Sequence, residues 1–268
     1  MTTALRPLST GELLDRTFSL YRSHFALFVG IIALPHLLVL GLRLLSVGFV
    51  FAGGVGAILG AVLWIPVFLI AYLVAAAASQ AATIVAVSQV HLDRPTSVMD
   101  SYSRVKGRIL AVIGIMIGVG IAVGIGFILL IIPGVILALM WSLTVPVAVL
   151  ENKGMSESVS RSAELAKGDW GRIFVVYLLI LILSIAVSAV IQWPILLLIA
   201  TAKGTTAIGL GQVAGAVANF LAQCLVGPLM TIALSLIYYD ERVRKEAFDL
   251  QLMMATLDGP QAGAASAV

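Results

Sequence analysis

Charge is what this chain has least of. Asp, Glu, Lys and Arg make up 11% of its 268 residues, against roughly a quarter in soluble domains. With 61% hydrophobic residues, a water-soluble fold of this size could not hide its apolar surface, so lipid must be its solvent. Cysteine is nearly missing as well. The lone Cys224 lies in an apolar run and reads as a small buried residue. It excludes an intramolecular disulfide framework and a Cys-rich metal site. The three histidines, His24, His36 and His91, are too scattered to propose a metal site. No H-E-x-x-H, G-x-S-x-G or Walker A pattern occurs. No catalytic residue, metal or cofactor is therefore expected. A net charge of +3 is too small for the pI of 9.2 to suggest nucleic acid. Glu12, Asp15, Arg16 and Arg22 precede a first apolar run too long for an h-region, so no cleavable signal peptide is expected.

What is present is long apolar runs. Ile109–Leu150 holds no Asp, Glu, Lys, Arg or His, with Pro133-Gly134 near its middle. About 20 residues cross the hydrocarbon core. Pro133 suits the first turn of a new helix, so the stretch predicts two spans, 109–132 and 134–150. Four more spans are expected at about 25–50, 57–90, 173–200 and 207–239. The second is longer than a bilayer needs and should tilt, bend near Pro66 or protrude. The fold class is thus all-α: a polytopic membrane protein with six transmembrane helices.

Three amphipathic pieces, 9–24, 96–108 and 154–170, lead into these spans. Ser9-x-x-Glu12 fits a capping box. Leu14, Phe18, Tyr21 and Phe25 are expected on one face of the first piece, and Val98, Tyr102, Val105 and Ile109 on one face of the second. Met155, Val159, Ala166 and Trp170 can share a face of the third. Each piece ends in basic residues, so the chain reads as three hairpins, each preceded by a cytoplasmic amphipathic helix, in a parallel threefold repeat. Residues 240–254 continue as a charged cytoplasmic helix with Asp240–Arg244, Glu241–Lys245 and Arg242–Glu246 at i,i+4 spacing, a solvated, self-paired pattern. Residues 255–268 read as a disordered tail, so 1–254 form a single six-span domain.

Fourteen of 16 Lys and Arg fall on the side of the N-terminus, the exceptions being Arg43 and Lys203. By the positive-inside rule both termini are expected in the cytoplasm. All 13 Asp and Glu fall on that same side.

Polar residues at membrane depth are costly unless paired. Gln212, Asn219 and Gln223 recur at steps of 7 and 4 on the sixth span, a stripe expected to face protein or water. Interhelical hydrogen bonding and lining of a cavity are both open for it. Gln80 and Gln89 are single signals of the same kind. His36 follows Pro35, which frees a carbonyl one turn earlier, and is expected to donate to it. Arg43 is expected to snorkel to the outer interface. No carboxylate lies at membrane depth, which argues against ion-coupled transport. Gly56/Gly60, Gly114/Gly118, Gly120/Gly124 and Gly211/Gly215 are small-xxx-small pairs that favour close helix packing.

Several segments together resemble a family: LRPLSTGELLDRTFSLYRSHF at the start, IIPGVILAL in the middle, VAVLENKGMSESVSRSAELAKGDWGRIF, and YYDERVRKEAFDL near the end. They are similar to the membrane domains of glycerophosphoryl diester phosphodiesterases and related stand-alone bacterial inner-membrane proteins. The resemblance runs from Leu5 to about Leu252. The chain departs from it at Glu241 and Ala247. The resemblance implies a bacterial inner-membrane module without the catalytic barrel.

The expected function is accordingly a non-enzymatic membrane module that binds lipid or a protein partner from the cytoplasmic side. Arg22, Lys106, Arg108, Lys167, Arg172, Arg242 and Arg244 are its candidate headgroup or partner contacts, each worth roughly 1 kcal/mol beside an anionic surface. The alternative is a small transporter or channel using the Gln212/Asn219/Gln223 stripe.

Overall fold

The computed structural model describes residues 8–48, 54–201 and 204–246. Among them are ten helices and no strand: α1 (Thr10–Ser23), α2 (Phe25–Ser46), α3 (Gly54–His91), α4 (Val98–Val105), α5 (Ile109–Leu129), α6 (Ile131–Met140), α7 (Thr144–Glu151), α8 (Met155–Ala166), α9 (Trp170–Thr201) and α10 (Thr205–Glu246). Expectations for 49–50, Lys203, 247–254 and the tail 255–268 lie outside the described residues.

Six helical segments are long and apolar enough to cross a membrane: α2, α3, α5, α6 with α7, α9 and α10. Helix α2 packs against α3, α5 against α6, and α9 against α10. Helix α10 is the hub, touching α1, α2, α3, α7, α8 and α9. It has 42 residues, about 63 Å at the rise of an α-helix, twice the hydrocarbon thickness. Its two halves differ. From Thr231 to Glu241 every residue is buried, whereas exposed residues recur from Thr205 to Leu225. Helix α3 shows the same division. Ala81–Ser88 is buried throughout, and the small side chains of its alanines let neighbours approach. Val55–Val74 is largely exposed.

The short helices cluster where the long ones are buried. Helix α1 begins at the expected capping box: the Ser9 hydroxyl accepts the Glu12 N–H at 3.3 Å, and the Glu12 carboxylate accepts the Ser9 N–H at 2.8 Å. Its buried face is Leu13, Thr17 and Leu20, one residue out of register with the expected Leu14, Phe18, Tyr21 and Phe25. Phe18 and Phe25 stay exposed, which carries no penalty where lipid is the solvent. Thr17 tolerates burial by donating to the Leu13 carbonyl. Helix α8 buries Ser158, Ser162, Leu165 and Ala166; of the four residues expected to share a face there, Ala166 is buried, and Met155 and, at the start of α9, Trp170 are exposed.

Ser162 explains a second departure. The expected span 134–150 is two helices, broken at Trp141–Leu143. Pro146 has no N–H to offer the Ser142 carbonyl, which weakens the ladder one turn before it. The Ser162 hydroxyl donates to the Met140 carbonyl at 2.9 Å and accepts the Leu143 N–H at 3.1 Å, bridging the gap. The preceding turn between α5 and α6 falls at the extended Leu130, and Pro133 sits in the first turn of α6 as expected.

Proline at Pro35 produces a related bond. It leaves the Ile31 carbonyl without its helical donor. The Tyr102 hydroxyl of α4 donates to that carbonyl at 2.5 Å. Burial pushes the Tyr102 phenol well above its ordinary value, so it remains a donor. His36, expected to take this role, instead donates from Nδ1 to Ile32, its own i−4 carbonyl, at 2.9 Å.

Candidate functional site

The candidate basic residues divide sharply. Arg172, at the start of α9, pairs with Asp240 and with Glu241, the latter at 2.9 Å, and donates to the Leu8 carbonyl at 3.0 Å. Arg244 pairs with Asp240 at 2.8 Å and also reaches Leu8. Arg242 donates to Glu246 and to the Tyr238 hydroxyl. Arg108 donates to the Ala148 and Val149 carbonyls at the end of α7. These four side chains are committed to internal bonds. Arg22, Lys106 and Lys167 are exposed.

The charged stretch of α10 is therefore not the solvated helix its spacing suggests. The three i,i+4 pairs do form, but the Asp240 and Glu241 side chains are only 1% and 0% exposed. A carboxylate so buried needs partners from outside its own helix. Arg172 supplies one, and the Leu8 N–H donates a further hydrogen bond to Asp240 at 2.6 Å. Lys245 ties the same region to α8 through the Leu165 and Lys167 carbonyls. Arg161 pairs with Glu151 and Glu246, and Tyr238 donates to Glu151 at 2.9 Å. The result is a cross-linked plate of ion pairs joining the chain before α1 to α7, α8, α9 and α10. It holds the bundle together and leaves few of its charges for a ligand.

The other half of the bundle has polar groups without such partners. Asn219 and Gln223 lie one turn apart on α10. They line two cavities. One, of about 280 Å³, opens between α10, α2 and α3, where His36, Arg43, Phe68 and Tyr72 join them. The other, of about 290 Å³, lies between α10 and α9, where Ser184, Ser188 and Gln192 join them. Those three recur every four residues and so form one polar edge of α9. Gln212 lines neither of these cavities. It is exposed on α10, about two turns nearer the helix start.

Within the first cavity His36 is 4% exposed. Its Nδ1 faces a carbonyl, which only accepts, so Nδ1 carries the proton and the neutral ring leaves Nε2 as an acceptor. Nε2 is buried and has no hydrogen-bond partner. The Arg43 guanidinium lies over the Phe68 ring, 5.4 Å from its centroid. Among the described residues Arg43 forms no ion pair, and Asn219 and Gln223 form no side-chain hydrogen bond. Tyr72 sits edge-on to His36 with ring centroids 6.3 Å apart.

Close backbone approach shapes this half. A Cβ on Gly211 would collide with Ile199 of α9, and one on Gly215 would touch Ile195. The Gly211/Gly215 pair thus holds α9 against α10 beside the cavities, as small-xxx-small spacing implies. Gly114, Gly120 and Gly124, by contrast, face open space.

The stripe on α10 was visible in the sequence, but its companions were not. Arg43 and His36 stood out singly, without any signal joining them to Asn219. Ser184 and Ser188 had only their four-residue spacing with Gln192 to mark them. Among the described residues no cluster of His, Cys, Asp and Glu has the makings of a metal site. No family model, no curated protein and no solved structure matches this chain.

Proposed function

We propose that this chain is a non-enzymatic, multi-pass membrane module that binds a polar ligand at membrane depth, in the cleft walled by Asn219 and Gln223. Its six spans are arranged as three hairpins, α2–α3, α5 with α6 and α7, and α9–α10. The ion-paired plate faces the cytoplasm of a bacterial cell, in keeping with the Lys and Arg asymmetry. The resemblance to phosphodiesterase membrane domains supports a module that works without a catalytic barrel.

One observation carries the reading. Two neighbouring amides line cavities on both sides of one helix without a protein partner. Amides placed for packing alone would be bonded across helices, because an unsatisfied polar group in hydrocarbon is expensive. A thermal-shift screen of the purified protein against small polar solutes and headgroup analogues tests it. At least one compound should raise the midpoint by several degrees in the wild type and not in the Asn219→Ala/Gln223→Ala double variant. Equal shifts in both proteins, or none across the panel, would count against it.

A second reading keeps the charged end in play. Arg22, Lys106 and Lys167 are exposed and can rest on anionic headgroups or on an acidic partner protein. Replacing all three by Gln should then lower retention of anionic lipid; unchanged retention speaks against this role.

A further inference from the structure

Of the two cavities that Asn219 and Gln223 share, the one between α9 and α10 has a polar lining that is uncharged throughout. Given that the cleft is a binding site, as proposed above, we infer that this cavity takes a neutral sugar.

Charge is the first of three observations behind this. From Ile173 to Thr201 on α9, and from Thr205 to Tyr239 on α10, there is no Asp, Glu, Lys, Arg or His. Arg43 lines the other cavity and not this one. An ion held here would meet no counter-charge on either helix, and an unpaired ion at membrane depth is expensive. The second observation is the hydrogen-bonding inventory. Among the described residues Ser188, Gln192, Asn219 and Gln223 form no side-chain hydrogen bond. An apolar occupant would leave all four unsatisfied. Hydroxyls and carboxamides both donate and accept, as sugar hydroxyls do, and the C=O and NH₂ of one carboxamide can face two neighbouring hydroxyls at once. Ser184 donates to the Ile180 carbonyl at 2.7 Å and keeps its oxygen as an acceptor. Gly227, one turn beyond Gln223, leaves that amide room: a Cβ there would come within 3.4 Å of its Nε2. The third observation is Trp193. It is 63% exposed and lines, with Ser188 and Gln192, an adjoining depression of about 420 Å³ on the same helix. The negative face of an indole ring suits the weakly positive C–H face of a sugar ring.

Size fits as well. A water takes about 30 Å³ of liquid volume, so the cavity of about 290 Å³ holds roughly nine waters or one sugar ring. Ser184 to Gln192 spans about 12 Å along α9, long enough to serve hydroxyls on opposite edges of such a ring.

Thermal-shift titration of the full chain tests the assignment, in a polyoxyethylene detergent that has no sugar headgroup to compete. The probes are methyl hexopyranosides. Each is paired with its uronic acid, which adds a charge, and with its fully O-methylated ether, which keeps the ring and loses the donors. The wild type should bind at least one hexopyranoside about tenfold or more tightly than either counterpart. Gln192→Leu and Trp193→Leu should each weaken that binding about tenfold, and Ser188→Ala about threefold. A diacylglycerol carrying the same sugar separates the sources: a shift with the methyl glycoside shows that a free sugar suffices, and a shift with the glycosyl lipid alone shows that its chains are needed. No shift from any sugar in either form, or equal affinity for the neutral sugar, its acid and its ether, overturns the assignment in the wild type alone. Undiminished binding by the Ser188→Ala/Gln192→Leu double variant also overturns it, because the sugar then sits elsewhere. If every sugar fails while another polar compound still stabilises the wild type through Asn219 and Gln223, the cleft stands and only its ligand class is wrong.

Discussion

The two ends of helix α10 treat polar groups in opposite ways. Near its C-terminus Asp240 and Glu241 are buried and surrounded by Arg172, Arg244, Lys245 and the Leu8 backbone. Some 20 residues earlier Asn219 and Gln223 face cavities and bond to no other described side chain. The charged residues that dominate the sequence near the C-terminus are consumed in holding helices together. The quieter amides are the ones left available. Abundance of charge therefore points to architecture in this molecule, and unpaired polarity points to a site.

That contrast can be broken most decisively at Arg172. Replacement by Met leaves two buried carboxylates short of a cation, and removal of one partner from a buried pair costs about 3 kcal/mol or more. Unfolding of purified protein by SDS should move by that amount, while Arg43→Met should change it by less than about 0.5 kcal/mol, since no ion pair is lost. Equal effects would erase the distinction between the two ends. Next in size is Gly211→Ala. Its added methyl meets Ile199, and overpacking of this kind costs about 1–3 kcal/mol. The same unfolding assay should show that the open half depends on close backbone approach even though its amides are unpaired. Tyr102→Phe should cost about 1 kcal/mol, because it orphans the carbonyl that Pro35 already deprived of a donor. Smallest of all, Asn219→Ala should alter stability by less than about 0.5 kcal/mol, below the mean of about 0.6 kcal/mol for an interhelical hydrogen bond in a membrane, because Asn219 makes none. A loss of 2 kcal/mol or more there would mean that Asn219 is a packing residue after all.

Much of the architecture was legible in the residues. Six apolar runs, the Ser9–Glu12 capping box and the place of Pro133 in a first turn follow from length, spacing and backbone chemistry. The break inside the fourth span was harder to see, because its cause is split between Pro146 in the span and Ser162 in a later helix. Periodicity grouped residues on one face of α1 and of α8, but it did not single out the neighbouring residues that are fully buried, Leu13, Thr17 and Leu20 on α1 and Ser158, Ser162 and Leu165 on α8. In water the aromatic face would be the buried one. Here Phe18, Phe25 and Trp170 can meet lipid, while Thr17, Ser158 and Ser162 turn inward and satisfy their hydroxyls on backbone carbonyls. Of the site, the sequence offered Asn219 and Gln223 through their spacing on one helix. It could not join them to His36, Arg43 and Tyr72, which come from α2 and α3, or to Ser184 and Ser188 on α9. That assembly is a product of tertiary packing. The basic residues failed as guides for the converse reason: Arg242 and Arg244 pair within their own helix as their spacing suggests, while Arg108, Arg172 and Arg244 also find partners far along the chain.

Water access to the cleft tests the central claim most directly. In a Cys224→Ala background, Asn219→Cys and Leu221→Cys place thiols two residues apart at exposed positions of α10, the first on the cavity wall and the second lining neither cavity. A thiolate, and hence water, is needed for reaction with a small polar methanethiosulfonate. In native membranes the thiol at 219 should react at least ten times faster than the thiol at 221. Equal rates, or a faster reaction at 221, would contradict the existence of a polar site beside α10.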